Sequence, residues 1–500
     1  MFRPDRSGHQ DVEAGRRRPG AGKPTIEESD VDHAGEHIGN GERAREPKMA
    51  SGVGARSDRK DRGAVRWAEA MRFLLVATPL HGHVTPLLSI GRELVDRGHD
   101  ATLMTGIEFA SAVDSAGLGF QALPPSARAV SPFVAQRRRF RVVRGRDAIV
   151  DTFIRPLSAQ HEALDRVLAG SAWDGVLSDT AYLGALPLLM TRRASARPPV
   201  LGVSVTPLSF VSVDCAPFGS ALQPGQSAWS RMRNRQIQWL LRHGPLRPVQ
   251  RELDAALARY GIPPKRLDYF DHAGPFDLTF QLAPAEFEYP RREQPSTVRF
   301  VGPLPPEDRP MPLPDWWPDL AQGLVIHVTQ GTLDNDPRKL IAPAIRSLAG
   351  APATVVVATG GASAQAVRDA VGGPLPANVR LAAYLPYDQL LPLTAVVVSN
   401  GGHGGVQQAL RHAVPLVIAG DTEDKPEVAA RVRRCGAGIH LRTGTPSPRR
   451  IRTAVQHVIH DPKYRRNAIR MRDLINDLGD PRSAIADTLE HAAERRARHG

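Results

Sequence analysis

The sequence predicts an α/β protein built from two doubly wound parallel-sheet domains. After residue 70, short apolar segments alternate with helical stretches, a pattern typical of parallel strands joined by helices. The 500 residues exceed what a single core normally organises, so more than one domain is expected. A stretch rich in proline and charge at 284–317 divides the series in two, and we interpret it as an interdomain linker.

The first series opens with a buried strand at 72–78 and a helix at 84–97 that has one apolar face. His83 stands between the two, where the strand passes into the helix. This is the carboxyl edge of the predicted sheet, the edge at which open α/β sheets bind ligands. A second apolar strand, at 174–179, ends in Asp179. Further strands of this domain are predicted at 101–104, 200–205 and 277–282.

The most informative segment of the second series is an apolar run at 395–398 that breaks into a glycine-rich turn at 400–405. Glycines at such a turn let the backbone approach a ligand, and the start of the following helix offers free N–H groups with partial positive charge. Both features suit a diphosphate. A neighbouring strand at 415–418 leads to a loop with Asp424 and Lys425, whose polar groups suit the hydroxyls of a nucleotide sugar.

These segments resemble the donor-site signature of the inverting, metal-independent UDP-glycosyltransferases, most closely that of the actinobacterial natural-product and macrolide-type enzymes. The family pattern is an aromatic-x-Pro-Gln segment, a His-x-Gly turn, a Glu eight residues later and an Asp-Gln pair. In this chain Tyr384-Leu385-Pro386-Tyr387 stands for the aromatic segment. Asn400, Gln408 and Asp424-Lys425 stand where the family has His, Glu and Asp-Gln. The resemblance extends over residues 71–490.

The resemblance implies the GT-B fold, in which two facing Rossmann-like domains enclose a cleft and the second binds the nucleotide sugar. Asn400 would donate a hydrogen bond to a phosphate oxygen, Gln408 would bind ribose hydroxyls, and Lys425 a sugar oxygen. His403 either touches phosphate or simply starts the helix. The donor-binding residues that the resemblance implies are Gly331, Thr332, Tyr384, Leu385, Asn400, Gly401, Gly402, His403, Gly404, Gly405, Gln408, Asp424 and Lys425.

The resemblance also implies that His83 deprotonates the acceptor hydroxyl and that Asp179 orients His83. Imidazole titrates near neutrality and so suits a general base, and a carboxylate on its other nitrogen fixes the tautomer and stabilises the imidazolium. Two alternatives stay open from the residues alone: His83 as a helix cap and Asp179 as a plain strand-end acid. His81 is the main competitor for the role of base.

The function implied is that of an inverting hexosyltransferase of secondary metabolism. It would move a hexose or deoxyhexose from a UDP- or dTDP-sugar to a hydroxyl of a small, apolar natural product. One alternative is a non-catalytic homologue that binds a nucleotide sugar or assists a partner transferase, which the departures at Asn400 and Gln408 keep open. Another is a nucleotide-sugar epimerase on the same fold.

No metal or cofactor besides the nucleotide sugar is expected, because the helix start takes over the neutralisation of the leaving diphosphate. Asp334-Asn335-Asp336 matches the Asp-x-Asp metal motif of another glycosyltransferase fold. It follows the first strand of the second domain, and Pro337 opens a helix after it, so we interpret the triplet as a polar loop and helix cap.

The chain is expected to divide into five segments. A tail at 1–70 precedes an acceptor-binding domain at 71–285, and a linker at 286–320 leads to a nucleotide-sugar-binding domain at 321–470. A C-terminal helix at 471–500 crosses back to the first domain. The tail contains no leucine and few aromatic residues, so it cannot bury enough surface to offset its ordering entropy, and we expect disorder. Our hypothesis is that Met71 is the true start and that the tail is mis-assigned or dispensable.

Two long, irregular segments at 133–155 and 207–247 are expected to bind the acceptor. Their aromatic residues either line an apolar pocket or fill the core, and they are Phe133, Phe140, Phe210, Trp229 and Trp239. A basic cluster at 137–146 suits an acidic acceptor, a lipid headgroup or a phosphate, and a solvated face is the plainer interpretation.

Charge and cysteine content argue against several other functions. The formal net charge of +13 accompanies no nucleic-acid-reading motif. Cys215 and Cys435 lack the CxxC spacing of a redox or zinc site, which fits a reducing compartment. No apolar run approaches the ~20 residues of a membrane span. The protein is therefore expected to be cytoplasmic, with peripheral membrane contact and oligomeric state left open.

Overall fold

The computed structural model describes residues 70–128, 141–306, 311–331 and 336–499. Within these residues two parallel sheets, of seven and six strands, follow one another along the chain. The strands of the first sheet are β1 (Arg72–Val76), β2 (Asp100–Thr105), β3 (Gly119–Ala122), β4 (Gly175–Asp179), β5 (Val200–Ser204), β6 (Leu278–Gln281) and β7 (Val298–Phe300). Those of the second are β8 (Val325–Thr329), β9 (Thr354–Ala358), β10 (Val379–Ala382), β11 (Thr394–Ser399), β12 (Leu416–Ile418) and β13 (Gly438–His440). We call each sheet with its helices the first and the second domain.

Helices connect the strands and cover the sheets. In the described parts of the chain they are α1 (His81–Asp96), α2 (Ala110–Ser115), α3 (Arg141–Ile149), α4 (Leu157–Gly170), α5 (Ala185–Thr191), α6 (Ala228–His243), α7 (Arg247–Ala258), α8 (Ile341–Leu348), α9 (Ala364–Val371), α10 (Tyr387–Leu393), α11 (His403–Arg411), α12 (Lys425–Cys435), α13 (Pro448–His460), α14 (Pro462–Asp477) and α15 (Pro481–His499). A π-helical turn at Val150–Ile154 continues α3. None of the helices described here has the length and apolar character needed to cross a bilayer.

The strand order of each sheet reverses near its centre. The first sheet runs β3-β2-β1-β4-β5-β6-β7, and the second runs β10-β9-β8-β11-β12-β13. The reversal lies between β1 and β4 in the first sheet and between β8 and β11 in the second, and both pairs are parallel. Such switch points form the crevices that hold the ligands of open α/β sheets. The predicted fold class of two doubly wound parallel sheets is confirmed.

The central strands are apolar on both faces because helices cover each sheet on both sides. Successive side chains of a strand point to opposite faces. In β1, Phe73 and Leu75 pack with α1 and α15 in one core, whereas Leu74 and Val76 pack with α4 and α5 in another. All four side chains are fully buried. This continuous apolar run is what made β1 recognisable from the sequence.

The two C-terminal helices pack on different sheets. Met471 and Ile475 of α14 lie in a core with β11 and β12, and Ile485 and Leu489 of α15 lie in the core of the first sheet. Strand β7 falls inside the stretch 286–320, for which the sequence predicts a linker, and pairs with β6 at the sheet edge. A three-residue edge strand among prolines shows too little pattern to be recognised from sequence.

Candidate active site

His83 and Asp179 meet at the switch point of the first sheet. His83 is in the first turn of α1, and Asp179 is the last residue of β4. The imidazole Nδ1–H donates to Asp179 Oδ2 at 2.8 Å. The backbone N–H groups of Thr78 and Ala181 donate to the same carboxylate at 3.3 and 3.0 Å. The carboxylate is fully buried, so these three donors hold it in one orientation.

The charges of this pair support one another. Burial disfavours the imidazolium, but the charge and hydrogen bond of Asp179, with a contribution from Asp424, raise the pKa of His83 above its ordinary value. Burial also opposes ionisation of Asp179, but His83 and the backbone donors lower the pKa of Asp179 below its ordinary value. Asp179 is therefore ionised and accepts the Nδ1 proton, which leaves Nε2 of the neutral imidazole as a proton acceptor.

The geometry does not favour the alternative roles. His83 does not occupy the N-cap position of α1, which is Leu80. The imidazole of His83 is directed to Asp179 instead. His81 is exposed and packs edge-on against Phe109, with 5.0 Å between the ring centroids. His83 is thus the better placed of the two histidines for proton transfer.

Two residues that sequence analysis does not single out lie beside this pair. The ring of Phe153, in the π-helical turn, lies 6.1 Å from the ring of His83. Burial lowers the pKa of His272, whose ring also interacts electrostatically with Asp179 and His83. Its Nδ1–H donates to the carbonyl of Tyr269 at 2.8 Å. Phe153 lies within the segment 133–155 that is expected to bind the acceptor, but no pattern distinguishes it from its neighbours. His272 belongs to no motif and lies outside both segments, so a single sequence offers no signal for it.

The glycine-rich turn begins at the switch point of the second sheet, where β11 and β8 lie side by side. The side-chain amide of Asn400 donates to the carbonyl of Gln330, which ties the ends of these two strands together. Gly331 follows at positive φ, beside the Asn400 amide. Gly401 has a φ of +90°, and a Cβ there would come within 2.6 Å of Ile418 Cγ2, so this turn requires glycine.

The first turn of α11 is open to a ligand. Gly402 occupies the N-cap position, and Gly404 and Gly405 are exposed. A Cβ built on any of these three would meet no atom of the described residues within 4 Å. The start of α11 is therefore accessible, and the free N–H groups and positive end of a helix start favour an anion. Asn400 has two amide protons and uses one of them on Gln330.

His403 contributes to packing between the domains. Its ring is buried edge-on against Phe287, with 6.0 Å between centroids, and forms a hydrogen bond with the backbone of Val205. Burial lowers the pKa of His403 to about 4, so the ring is neutral at physiological pH. Of its two expected roles, the start of the helix is the one that this burial favours.

Two glutamines follow on α11. The Nε2 of Gln408 donates to the carbonyl of Leu304 at 2.7 Å, while its buried Oε1 has no partner within the described residues. Sequence analysis does not single out Gln407, which is 1 % exposed. Neither its Nε2 nor its Oε1 has a hydrogen-bond partner within the described residues. Buried polar atoms of this kind mark places where a ligand or an ordered water is expected.

The loop with Asp424 and Lys425 faces the first domain. It leads into α12, and Lys425 is buried with its ammonium paired to the carboxylate of Glu423. Burial raises the pKa of Asp424, and the charges of Asp424 and His83 act on each other. A loop of the second sheet and the histidine of the first sheet therefore border the same cleft.

The aromatic segment at 384–387 lies partly at the surface and partly in a core. Tyr384 is 58 % exposed, and its hydroxyl lies beside Gly361 in the loop after β9. The side chain of Leu385 is buried in a core with Val356 and Leu390. Any part that Leu385 plays in donor binding is therefore left to its backbone.

Several predicted residues lie outside the described parts of the chain: Thr332, Asp334, Asn335, Phe133 and Phe140. Asp336, the last member of the acidic triplet, accepts the backbone N–H of Arg338 at 3.1 Å, as a polar loop residue does. Within the described residues there is no group of three or more side chains suited to hold a metal ion. Metal independence stays a prediction.

The described acceptor-side aromatics take different positions. Phe210 is buried in a small core with Leu208 and Ala273. Trp229 and Trp239, both on α6, are 66 % and 59 % exposed. Of the two alternatives left open for these tryptophans, an apolar pocket or the core, the core is excluded, because α6 turns its polar side inward.

The chain is similar to one protein family model and to several known proteins. Residues 346–490 match the family model of the erythromycin biosynthesis protein CIII-like C-terminal domain. The chain is 38 % identical over 422 residues to the 4'-demethylrebeccamycin synthase of Lentzea aerocolonigenes, covering 80 % of this chain and 95 % of that protein. It is 34 % identical over 454 residues to UDP-glycosyltransferase 2 of Phaeomoniella chlamydospora, covering 84 % and 95 %. The solved glycotransferase of kitacinnamycin superposes with a TM-score of 0.64 at 22 % identity, over 85 % of this chain and all of that one, which confirms the GT-B fold.

Proposed function

We propose that this chain, which belongs to the UDP-glycosyltransferase superfamily and is a glycosyltransferase, transfers a hexose or deoxyhexose from a UDP- or dTDP-sugar to a hydroxyl of a small apolar natural product. The transfer would invert the anomeric centre and need no metal. One observation carries the proposal: Nδ1 of the buried His83 and Oδ2 of the buried Asp179 form a hydrogen bond of 2.8 Å at the switch point of the first sheet, as an oriented general base requires. The charge of Asp424, in the proposed donor loop, also acts on His83, which supports the proposal.

In the proposed reaction His83 is the general base. Its Nε2 takes the proton of the acceptor hydroxyl as the hydroxyl oxygen bonds to the anomeric carbon. The bond from that carbon to the diphosphate breaks in the same displacement, so attack comes from the opposite face and the configuration inverts. Asp179 keeps the Nδ1 proton in place and stabilises the imidazolium that forms. Phe153 supplies an apolar surface beside the reacting hydroxyl.

The leaving diphosphate is stabilised by the start of α11. The uncovered N–H groups around Gly404 and Gly405 and the positive helix end lie where an anion fits. The remaining amide proton of Asn400 adds a neutral donor, in place of the charged histidine of the family pattern. Fixed donors aimed at developing charge can take the role that a metal ion has in other transferases.

The remaining contacts to the donor are assigned from the geometry of single atoms. The unpartnered Oε1 of Gln408 is suited to accept a hydrogen bond from a ribose hydroxyl. Asp424 is suited to accept from a sugar hydroxyl, because the ammonium of Lys425 is already neutralised by Glu423 and cannot serve as a free charge. The exposed ring of Tyr384 offers a face for the nucleobase.

The first test is nucleotide release from a panel of UDP- and dTDP-sugars, with and without phenol, flavonoid and macrolide acceptors. We expect release that depends on acceptor, persists in EDTA and gives a product of inverted anomeric configuration by NMR. Loss of activity in EDTA with recovery on adding a divalent ion would contradict the metal-independent mechanism. Donor that binds without being consumed would favour the non-catalytic homologue, and acceptor-independent isomerisation of the sugar would favour the epimerase.

Asp424→Asn is expected to move the acidic limb of the kcat/KM profile to lower pH. His83 acts as a base when neutral, and its pKa lies above the ordinary value of 6.5, so activity is lost as pH falls through that raised pKa. Because the Asp424 carboxylate helps to raise it, removing that charge lowers the pKa of His83. The overall rate also falls, since Asp424 is proposed to bind the sugar.

The matched control is Asp421→Asn, three residues earlier in the same loop. It is expected to leave the position of the acidic limb unchanged. An acidic limb that stays in place in Asp424→Asn, or moves equally in both variants, would contradict the electrostatic link between this loop and His83.

A further inference from the structure

Helix α6 exposes its apolar side chains and buries its polar ones. Towards the protein it buries Ser230 and Asn234, which are 8 % and 0 % exposed. Its large apolar residues point outward, with exposed fractions of 66 % for Trp229, 50 % for Met232, 59 % for Trp239 and 59 % for Leu240. Surface helices of globular proteins normally show the reverse arrangement. Contiguous exposed apolar surface of this kind marks an interaction site.

Hydrogen bonds and an ion pair hold α6 in this orientation. The side-chain amide of Asn234 donates to the carbonyl of Val213 at 2.9 Å. The amide of Gln238 donates to the carbonyl of Ser212 at 2.7 Å. Arg231 pairs with Asp214 at 2.8 Å. Turning the apolar side inward would break all of these contacts and leave buried polar groups without partners, so the outward-facing apolar side is a fixed feature.

The exposed apolar residues form one stripe. Trp229, Met232, Trp239 and Leu240 are spaced by three, seven and one residues, which places them on one side of a 3.6-residue helix. From Trp229 to Leu240, at a rise of 1.5 Å per residue, the stripe extends over about 17 Å. At its end the ring of His243 stacks on Trp239, with 4.6 Å between centroids.

The charge of α6 is of one sign. Its sequence, AWSRMRNRQIQWLLRH, contains four arginines and neither aspartate nor glutamate. Arg235 and Arg242 are exposed on one side of the stripe, and Arg242 also pairs with Asp268 at 2.7 Å. Arg233 lies on the other side, with its guanidinium 5.9 Å from the ring of Trp229. Tryptophan and leucine flanked by arginine are typical of helices that lie in the plane of a membrane interface.

We propose that the exposed stripe of α6 docks this protein on the anionic surface of a lipid bilayer. Trp229 and Trp239 would insert at the level of the headgroups, where amphipathic indole rings are favoured. The flanking arginines would lie against lipid phosphates, as their charge requires. A second copy of the chain fits this face less well, because a two-fold pairing of α6 with itself would bring two sets of arginines together. The proposal concerns a surface and is independent of the sugar-transfer chemistry.

The test is flotation of the full chain with vesicles of phosphatidylcholine alone and with vesicles of equal parts phosphatidylcholine and phosphatidylglycerol. We expect binding to the anionic vesicles that weakens with added salt, with a blue shift of tryptophan emission. The variant Trp229→Ser/Trp239→Ser is expected to weaken this binding by about tenfold or more, and Arg235→Glu by a smaller factor. All three side chains are exposed, so folding should be retained, as checked by circular dichroism.

The matched control is Leu393→Ser/Leu478→Ser, which removes two exposed apolar side chains elsewhere on the surface. It is expected to bind the anionic vesicles as the unmodified chain does. Absence of vesicle binding by the unmodified chain, or binding that persists unchanged in Trp229→Ser/Trp239→Ser, would overturn the proposal. It would also be overturned by a dimer in sedimentation equilibrium that Trp229→Ser/Trp239→Ser abolishes, since the stripe would then be covered by a second copy.

Discussion

Replacing His83 with alanine is expected to lower kcat/KM for sugar transfer by about 10³-fold or more, with little change in the affinity for the nucleotide sugar. The imidazole is the proposed acceptor of the hydroxyl proton, and alanine leaves Asp179 without its partner on the reacting side. The donor is proposed to bind on the second domain, so its affinity should depend weakly on this residue. Nucleotide release gives the rate, and isothermal titration calorimetry with UDP or dTDP gives the affinity.

The neighbouring His81 provides the control. It is exposed and two residues away on the same helix, so His81→Ala removes an imidazole of the same kind without touching the buried pair. Its rate is expected to stay within about twofold of the unmodified enzyme. A His83→Ala variant that keeps a tenth or more of the activity, or an equal loss in His81→Ala, would exclude His83 as the base.

Asp179→Asn separates the orienting role from the base itself. Asparagine keeps the shape, but its amide can donate to Nδ1, which would place the imidazole proton on Nε2 and block the base. The rate is expected to fall by about 10²–10⁴-fold while His83 is still present. The acidic limb of the pH profile should also move to lower pH, because the Asp179 charge raises the pKa of His83. A loss of rate accompanied by unfolding, with an unmoved limb in the folded fraction, would assign Asp179 a purely structural role.

The His83–Asp179 pair and the glycine-rich turn, which we propose as the catalytic pair and the donor site, could be predicted from the sequence because each stands at the end of a strongly apolar strand. The sheet order places the ends of β1 and β4, and of β8 and β11, side by side, so that residues distant in sequence converge. Composition gives no such signal for Phe153 and His272, which reach the pair through a π-helical turn and an irregular segment. Their proximity depends on tertiary packing, which a single sequence does not encode locally.

Helix α6 shows a different limit of sequence reasoning. Tryptophan, methionine and leucine at helical spacing normally indicate a core-facing stripe. In this helix the side chains of Ser230 and Asn234 meet the protein instead, because backbone carbonyls and Asp214 on the facing loop need polar partners. The direction in which a helix faces is decided by the surface on which it packs, and that surface comes from another part of the chain.

A third feature, a buried ionic cluster between the domains, was also invisible from sequence. Arg431 of α12 is fully buried and pairs with Glu288 and Glu427, each at 2.9 Å. Its guanidinium lies 4.0 Å from the centre of the Tyr289 ring. Glu288 and Tyr289 belong to the segment between β6 and β7, more than a hundred residues away. In sequence, Arg431 is one of several arginines on a charged helix.

This cluster connects the proposed donor loop to the acceptor side. The carboxylate of Glu427 also accepts the backbone N–H groups of Gly219 and Ala221, at 2.9 and 2.8 Å, from a segment expected to bind the acceptor. The same helix carries Asp424 and Lys425 at its start. The position of α12 is thus fixed by contacts to the first domain. We infer that the cluster sets the distance between the donor loop and His83.

Arg431→Met is accordingly expected to lower the free energy of unfolding by about 3–5 kcal/mol, since it leaves Glu427 buried without its cation and leaves Glu288 with Arg291 alone, 3.6 Å away. The variant should also raise KM for the donor, because α12 loses its anchor to the first domain. Urea unfolding followed by circular dichroism measures the first effect, and nucleotide release the second. Adding Glu427→Gln should restore part of the stability, because it removes the unpaired charge while the amide oxygen can still accept from Gly219 and Ala221. The exposed Arg433 lies on the same helix, and Arg433→Met should change the free energy of unfolding by no more than about 0.5 kcal/mol. Equal stability of the two single variants would mean that water reaches the cluster and screens it, and that other contacts hold the two domains together.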